Sequence, residues 1–157
     1  MPAELLAKVT AEQRTAFWER ALQAERGDRQ RIAVADVDGT AVGFVWTGPC
    51  RDTEDTQDLV DSGELYAINV APRYWGSGVG TALLKTAHES LAAQGFSHAV
   101  LWVVAGNVRA RRFYDRAAWA FDGVTRDDEL GGFLIPEVRY GRSFTVDSPG
   151  TRTGTNP

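Results

Sequence analysis

Apolar positions along this chain change their period several times, and each change marks an element. Thr10-Ala11-Glu12-Gln13 reads as a capping box, and Phe17, Trp18, Ala21 and Leu22 follow at helical spacing. Residues Arg31 to Val37 and Ala41 to Trp46 are β-rich, and Asp38-Gly39 between them predicts a hairpin. A polar segment runs from Gly48 to Gly63. Leu65 to Val70 predicts a buried strand that ends at Pro72, and Leu84, Ala87 and Leu91 then form one face of a helix that stops near Gly95. His98 to Val104 is another apolar strand. Asn107 opens a helix with Ala110, Phe113 and Ala117 inward and Arg109, Arg112 and Arg116 outward. Phe121 to Thr125 and Phe133 to Gly141 predict two closing strands. The segment from Ser148 to Pro157 has nothing to bury and is expected to be disordered.

The order is a hairpin followed by strand, helix, strand, helix and strand. Leu65 to Val103 forms a βαβ crossover, so its two strands are candidates for parallel neighbours. The 157 residues, 43% hydrophobic and 24% charged, fit one ordinary globular domain with a real core. No apolar run approaches the roughly 18–20 residues of a membrane span, and MPAELLAKVT lacks the layout of a signal peptide. Cys50 is the one cysteine, so no intramolecular disulfide and no thiolate metal cluster is supported. These features predict a cytoplasmic protein with no metal. The net charge of −4 argues against nucleic acid as the main partner. Fifteen arginines against two lysines, Lys8 and Lys85, associate with a GC-rich bacterial genome.

Chemistry concentrates in Val70-Ala-Pro-Arg-Tyr-Trp75-Gly76-Ser77-Gly78-Val79-Gly80-Thr81. A glycine-rich turn between a strand and a helix N-terminus is an anion site, because backbone N–H groups and the helix dipole both face the ligand. Two familiar phosphate motifs fail on spacing. A P-loop needs Lys-Ser/Thr after its last glycine, and Thr81 follows Gly80 directly. A dinucleotide fingerprint needs its third glycine at position 81, and the next strand ends in Leu101-Trp102-Val103 without a carboxylate for a ribose.

The run from Glu64 to Leu84 closely resembles the acetyl-CoA motif of the GNAT N-acetyltransferase superfamily, [QR]-x-x-G-x-[GA] after a strand ending in V-x-P. Here Trp75 stands where that motif has Gln or Arg. The run Asn107-Val-Arg-Ala110-Arg-Arg-Phe113-Tyr114 is similar to the family's N-x-x-A-x-x-F-Y block, with Ala118-Trp119 where the family often has Gly-Phe or Gly-Trp. Pro136-Glu-Val-Arg-Tyr140 also matches a closing strand of bacterial members. The likeness covers roughly residues 15–142.

This resemblance implies an α/β (α+β) fold: a mixed, mostly antiparallel sheet whose central strands splay apart, flanked by helices, over residues 1–145, with a tail over 146–157. Family members place a further strand and helix before the segment resembling Pro2 to Leu6, so the chain is expected to lack them. The edge this leaves would invite a homodimer. The resemblance further implies acetyl-CoA as co-substrate, with pantetheine along the strand near Ile68 and Val70. The pyrophosphate would lie on Trp75 to Thr81, and Asn107 and Phe113 would also meet the cofactor.

The acceptor would be a primary amine, of a small molecule or a protein, attacking directly in a ternary complex. An amine with a pKa of about 10.4 is almost wholly protonated at neutral pH, so a base is useful, and Glu64 at the head of the strand is the candidate. Its other reading is an exposed strand-end carboxylate. The Val70 N–H would stabilise the oxyanion, and Tyr114, the family's usual acid, would protonate the leaving thiolate; its other reading is a core tyrosine. Asn107 is also a good helix cap. His88 reads as a surface or a satisfied histidine rather than a catalytic one, and Cys50 sits in a polar loop without a role. The acids Asp52, Glu54, Asp55, Asp58 and Asp61 read either as a rim for a cationic amine or as an ordinary solvated loop. A longer acyl donor, a catalytically weak acyl-CoA-binding or regulatory module, and a nucleotide-binding domain are the competing assignments.

Overall fold

The computed structural model describes residues 29–51 and 61–144. The expected helix at Phe17–Leu22, most of the acidic segment, the opening segment and the tail lie outside the described residues.

Among the described residues, six strands and two α-helices follow in the order β1 (Arg31–Val37), β2 (Thr40–Pro49), β3 (Gly63–Val70), α1 (Val79–Ala93), β4 (His98–Val104), α2 (Val108–Arg116), β5 (Ala120–Leu130) and β6 (Phe133–Ser143). The hairpin turns at Asp38-Gly39, where the sequence predicts it. Four strands run longer than expected. β2 continues through Pro49 into the segment read as polar, and β3 starts at Gly63. β5 extends to Leu130, and β6 starts at Phe133 as expected but runs on to Ser143. The alternation that marks a half-buried strand is hidden in β5 because nearly all of it is exposed.

The strands form one sheet ordered β1-β2-β3-β4-β6-β5. All neighbours are antiparallel except β3 and β4, the pair joined through α1. This is the mixed, mostly antiparallel sheet that the family resemblance implies. Both helices cover one face. Leu83, Leu84, Ala87 and Leu91 of α1 meet Val45 and Leu65 of β2 and β3, Ala99, Leu101 and Val103 of β4, and Val138 and Tyr140 of β6. Tyr114 and Trp119 close the core from the α2 side. Full burial of a leucine contributes about 1.5–3 kcal/mol, so this layer is the main cohesive unit. No helix among the described residues is long and apolar enough to cross a membrane.

Candidate active site

The parallel pair is joined at one end only. Among the described residues, β3 and β4 pair at Gly63↔Ala99 and Glu64↔Val100 and then part. On its other edge β3 pairs with β2 as far as Val70↔Gly43, and the Ala71 N–H donates to the Val42 carbonyl at 2.8 Å. Antiparallel partners alternate between hydrogen-bonded and non-hydrogen-bonded pairs. Ala71 and Val42 are a bonded pair, so Val70 and Ile68, one and three residues back, turn their peptide groups away from β2 and toward β4. The splay therefore faces the main chain of the two residues that the sequence singles out.

At the open end the chain makes a 3-10 turn over Pro72–Tyr74 and enters α1 through Gly76 and Gly78. Their φ angles are +75° and +93°, and a Cβ on either would meet nothing within 4 Å. Backbone conformation is the reason for glycine at both, and the space above them is open. Gly80 is an ordinary helical residue beside Phe113 and Val70, where a Cβ would stand at 3.6 and 3.7 Å. Gly78 caps α1 without a side-chain acceptor. The amides of Val79, Gly80 and Thr81 are thus first-turn donors to which the helix cap supplies no side-chain oxygen among the described residues. Ser77 directs its hydroxyl back to the Tyr74 carbonyl.

Trp75 closes the end of β3. Its indole N–H donates to the Val70 carbonyl at 2.8 Å, and the Arg109 guanidinium lies over its half-exposed ring at 4.3 Å. Asn107 caps α2, its Oδ1 accepting from the Ala110 N–H at 3.1 Å. Tyr114 is buried among Phe113, Trp119 and Tyr140, and burial pushes its phenol well above the ordinary range.

The closed end of the pair is built from side chains, on the face opposite the helices. Glu64 is 2% exposed, so its reading as an exposed strand-end carboxylate does not describe it. Oε1 accepts from the Arg51 backbone N–H at 3.0 Å, and Oε2 accepts from the Arg51 guanidinium at 2.7 and 3.3 Å. Tyr66, two residues on and on the same face, lies 4.3 Å beneath that guanidinium and donates its hydroxyl to the Pro49 carbonyl. Burial first, and then the Glu64 charge, push its phenol up to about 12. With Trp102, Arg126, Asp128 and Glu137 these residues line a polar cleft of about 500 Å³. Arg126 lies 4.0 Å over the Trp102 ring and pairs with Glu137 at 3.0 Å. Sequence reasoning missed every lining residue but Glu64. Period two along β3, which puts Tyr66 on the Glu64 face, was the available signal; the contributions of β4, β5 and β6 depend on strand order.

Two further expectations meet the structure. His88 accepts the Trp119 indole N–H at 3.0 Å and sits between Trp119 and Phe144, so it is a satisfied packing histidine. Burial, with the Arg142 charge second, lowers its pKa to about 4. Cys50, placed by sequence in a polar loop, is instead buried against Val100.

The family model described as "Acetyltransferase (GNAT) family" matches residues 3–119. The chain belongs to that family. It is 38% identical over 89 residues to an uncharacterized N-acetyltransferase of Archaeoglobus fulgidus, a stretch covering 55% of this chain and 58% of the relative. It is 35% identical over 91 residues to the mycothiol acetyltransferase of Frankia casuarinae, covering 55% of this chain and 26% of that protein. The matched stretch thus spans little more than half of one relative and about a quarter of the other. The Escherichia coli ribosomal-protein-S18-alanine N-acetyltransferase shares the fold, with a TM-score of 0.64 at 20% identity over 85% of this chain and 80% of that one.

Proposed function

We propose that this protein transfers an acetyl group from acetyl-CoA to a primary amine, the two substrates meeting across the β3–β4 splay. The observation that carries this reading is the one-ended pairing of β3 and β4, with the Ile68 and Val70 peptide groups turned into the gap and the uncapped first turn of α1 at its mouth. The donor set fits coenzyme A. An extended pantetheine arm can pair with β3 as an added strand would, and the Val79, Gly80 and Thr81 amides suit a pyrophosphate. Acetyl-CoA supplies an activated thioester carbonyl; the chain supplies placement, charge and proton handling.

With the Val70 carbonyl held by Trp75, the Val70 N–H is the main-chain donor for negative charge developing on the acyl oxygen. Glu64 takes the amine's proton through water, because it lies six residues back from Val70 along β3, roughly 20 Å at about 3.3 Å per residue. Arg51 holds both carboxylate oxygens, and Glu64 is among the residues that line the cleft. Tyr114 is the proton donor to the leaving sulfur. Burial raises its phenol, which alone would make it a poor acid, but the same apolar surroundings raise a buried thiol as well.

One observation favours a second reading, an acyl-CoA-binding module with little transfer. The candidate base is clamped by Arg51 and the candidate acid is packed in the core. Titration with acetyl-CoA, followed by thiol release with a panel of amines, separates the two. Saturable donor binding with amine-dependent release is the expected result. Binding with no release from any amine selects the module, and the absence of binding overturns both readings.

A further inference from the structure

The cleft continues outward along β5 and β6 as a strip of side chains. The cross-strand partners Arg126↔Glu137, Asp128↔Ile135 and Leu130↔Phe133 are spaced by two residues, so all lie on one face. Arg126, Asp128 and Glu137 line the cleft, which fixes that face as the cleft's. The strip ends in an apolar pair at the hairpin tip, where Leu130 is 45% and Phe133 65% exposed. Neither residue belongs to the core between the helices and the sheet.

β5 is an edge strand in the order of the described residues, eleven residues long with no proline. Such an edge presents main-chain donors and acceptors that another extended chain can pair with. Its exposed residues include three successive acids, Asp127, Asp128 and Glu129. Two copies pairing edge to edge here would set like charges against each other, which is destabilising. A basic strand meets the opposite situation on both faces, Asp128 on the cleft side and Asp127 and Glu129 on the other. From Glu137 in the cleft to Phe133 at the tip is four residues, roughly 13 Å at about 3.3 Å per residue.

We propose that this strip is a docking track for the acceptor, and that the acceptor is a basic polypeptide segment. It lies extended along β5, its amine in the cleft and a bulky apolar side chain about four residues away on Leu130 and Phe133. This rests on the amine-transfer reading above. A small amine would use the cleft and leave the track untouched.

The test is a set of Arg-containing peptides in which one Phe is moved from the second to the sixth residue after the acceptor amine, alongside a small monoamine. Binding of labelled peptides by fluorescence anisotropy is followed in parallel with acetyl-CoA-dependent acetylation. Both affinity and kcat/KM should peak, about tenfold above the other positions, with Phe at the third to fifth residue. Phe133→Ser should remove that peak while leaving monoamine acetylation unchanged. The double change Asp127→Asn with Glu129→Gln should weaken all the Arg peptides several-fold and make binding less salt-dependent. No dependence on Phe position, or equal losses for peptide and monoamine in Phe133→Ser, overturns the track. Position-dependent peptide binding without acetylation of any amine would instead keep the track and overturn the transfer reading.

Discussion

The two helices begin in opposite ways. α2 is capped by its own sequence: Asn107 lends its side-chain oxygen to the Ala110 amide, and the first turn is closed. α1 starts from Gly78, which has no side chain to lend, behind a second glycine at positive φ. A helix N-terminus carries about half a positive charge and several unpaired donors. One helix spends these donors on its own chain, whereas the other holds them beside the splay of β3 and β4. The difference marks the start of α1 as the helix end better suited to an anion, with no charged residue between Trp75 and Thr81.

Breaking this asymmetry should have the largest effect. Gly78→Asp would give α1 an acceptor of its own and a negative charge where the diphosphate is proposed to bind. Acetyl-CoA affinity measured by calorimetry should fall about 10²-fold, close to 2.7 kcal/mol; unchanged affinity would remove the turn from the site. On α2, Tyr114→Phe keeps the ring packing and deletes only the hydroxyl. Turnover should drop by about 10-fold to 10²-fold with acetyl-CoA affinity unchanged, and equal turnover would leave Tyr114 as a core residue. Asn107→Ala removes the cap and should lower stability to chemical denaturation by about 1 kcal/mol. If Asn107 also meets pantetheine, donor affinity falls as well; a loss of stability alone confines it to capping.

The helices also differ in their response to acid. His88 on α1 has its pKa lowered to about 4, chiefly by burial, against about 6.5 in an unfolded chain. Between these values the unfolded chain binds more protons, so stability is full above about pH 6.5 and declines as pH falls toward 4. His98, lowered mainly by burial, adds a slope of the same sign. Denaturation at pH 7, 5.5 and 4.5 should show this decline, and His88→Gln should make it shallower; an unaltered slope would assign it elsewhere.

The smallest effect is at the other ends, where the helices are alike. In α1 the Phe96 N–H returns to Leu91 and the Gly95 N–H to Ala92; in α2 the Trp119 N–H returns to Tyr114 and the Ala118 N–H to Asp115. Both are Schellman endings. α1 has glycine at the left-handed position, and α2 has Ala118 at φ +66°. Ala118→Gly should therefore raise stability by about 0.5–1 kcal/mol, since the relief of strain exceeds the added chain entropy. A lower melting temperature in the variant would show that no strain is held there.

Local patterns in the chain were enough for much of this. Asp38-Gly39 announces a hairpin because few residues accept that turn. The spacing of Leu84, Ala87 and Leu91 announces a buried helical face, and Asn107 announces a cap. Gly76 and Gly78 announce a strained entry to a helix. Each of these is set by neighbours a few residues away, so the chain determines it alone. Tertiary structure decided the rest. Glu64 is held by Arg51, and Tyr114 is enclosed by the rings of Phe113, Trp119 and Tyr140. The cleft joins residues of β3, β4, β5 and β6 that share no local pattern. The parting of β3 and β4 after two residue pairs is likewise absent from either strand's sequence. It is a relation between two strands distant in the chain, which no pattern of neighbouring residues encodes, and the proposed donor site depends on it.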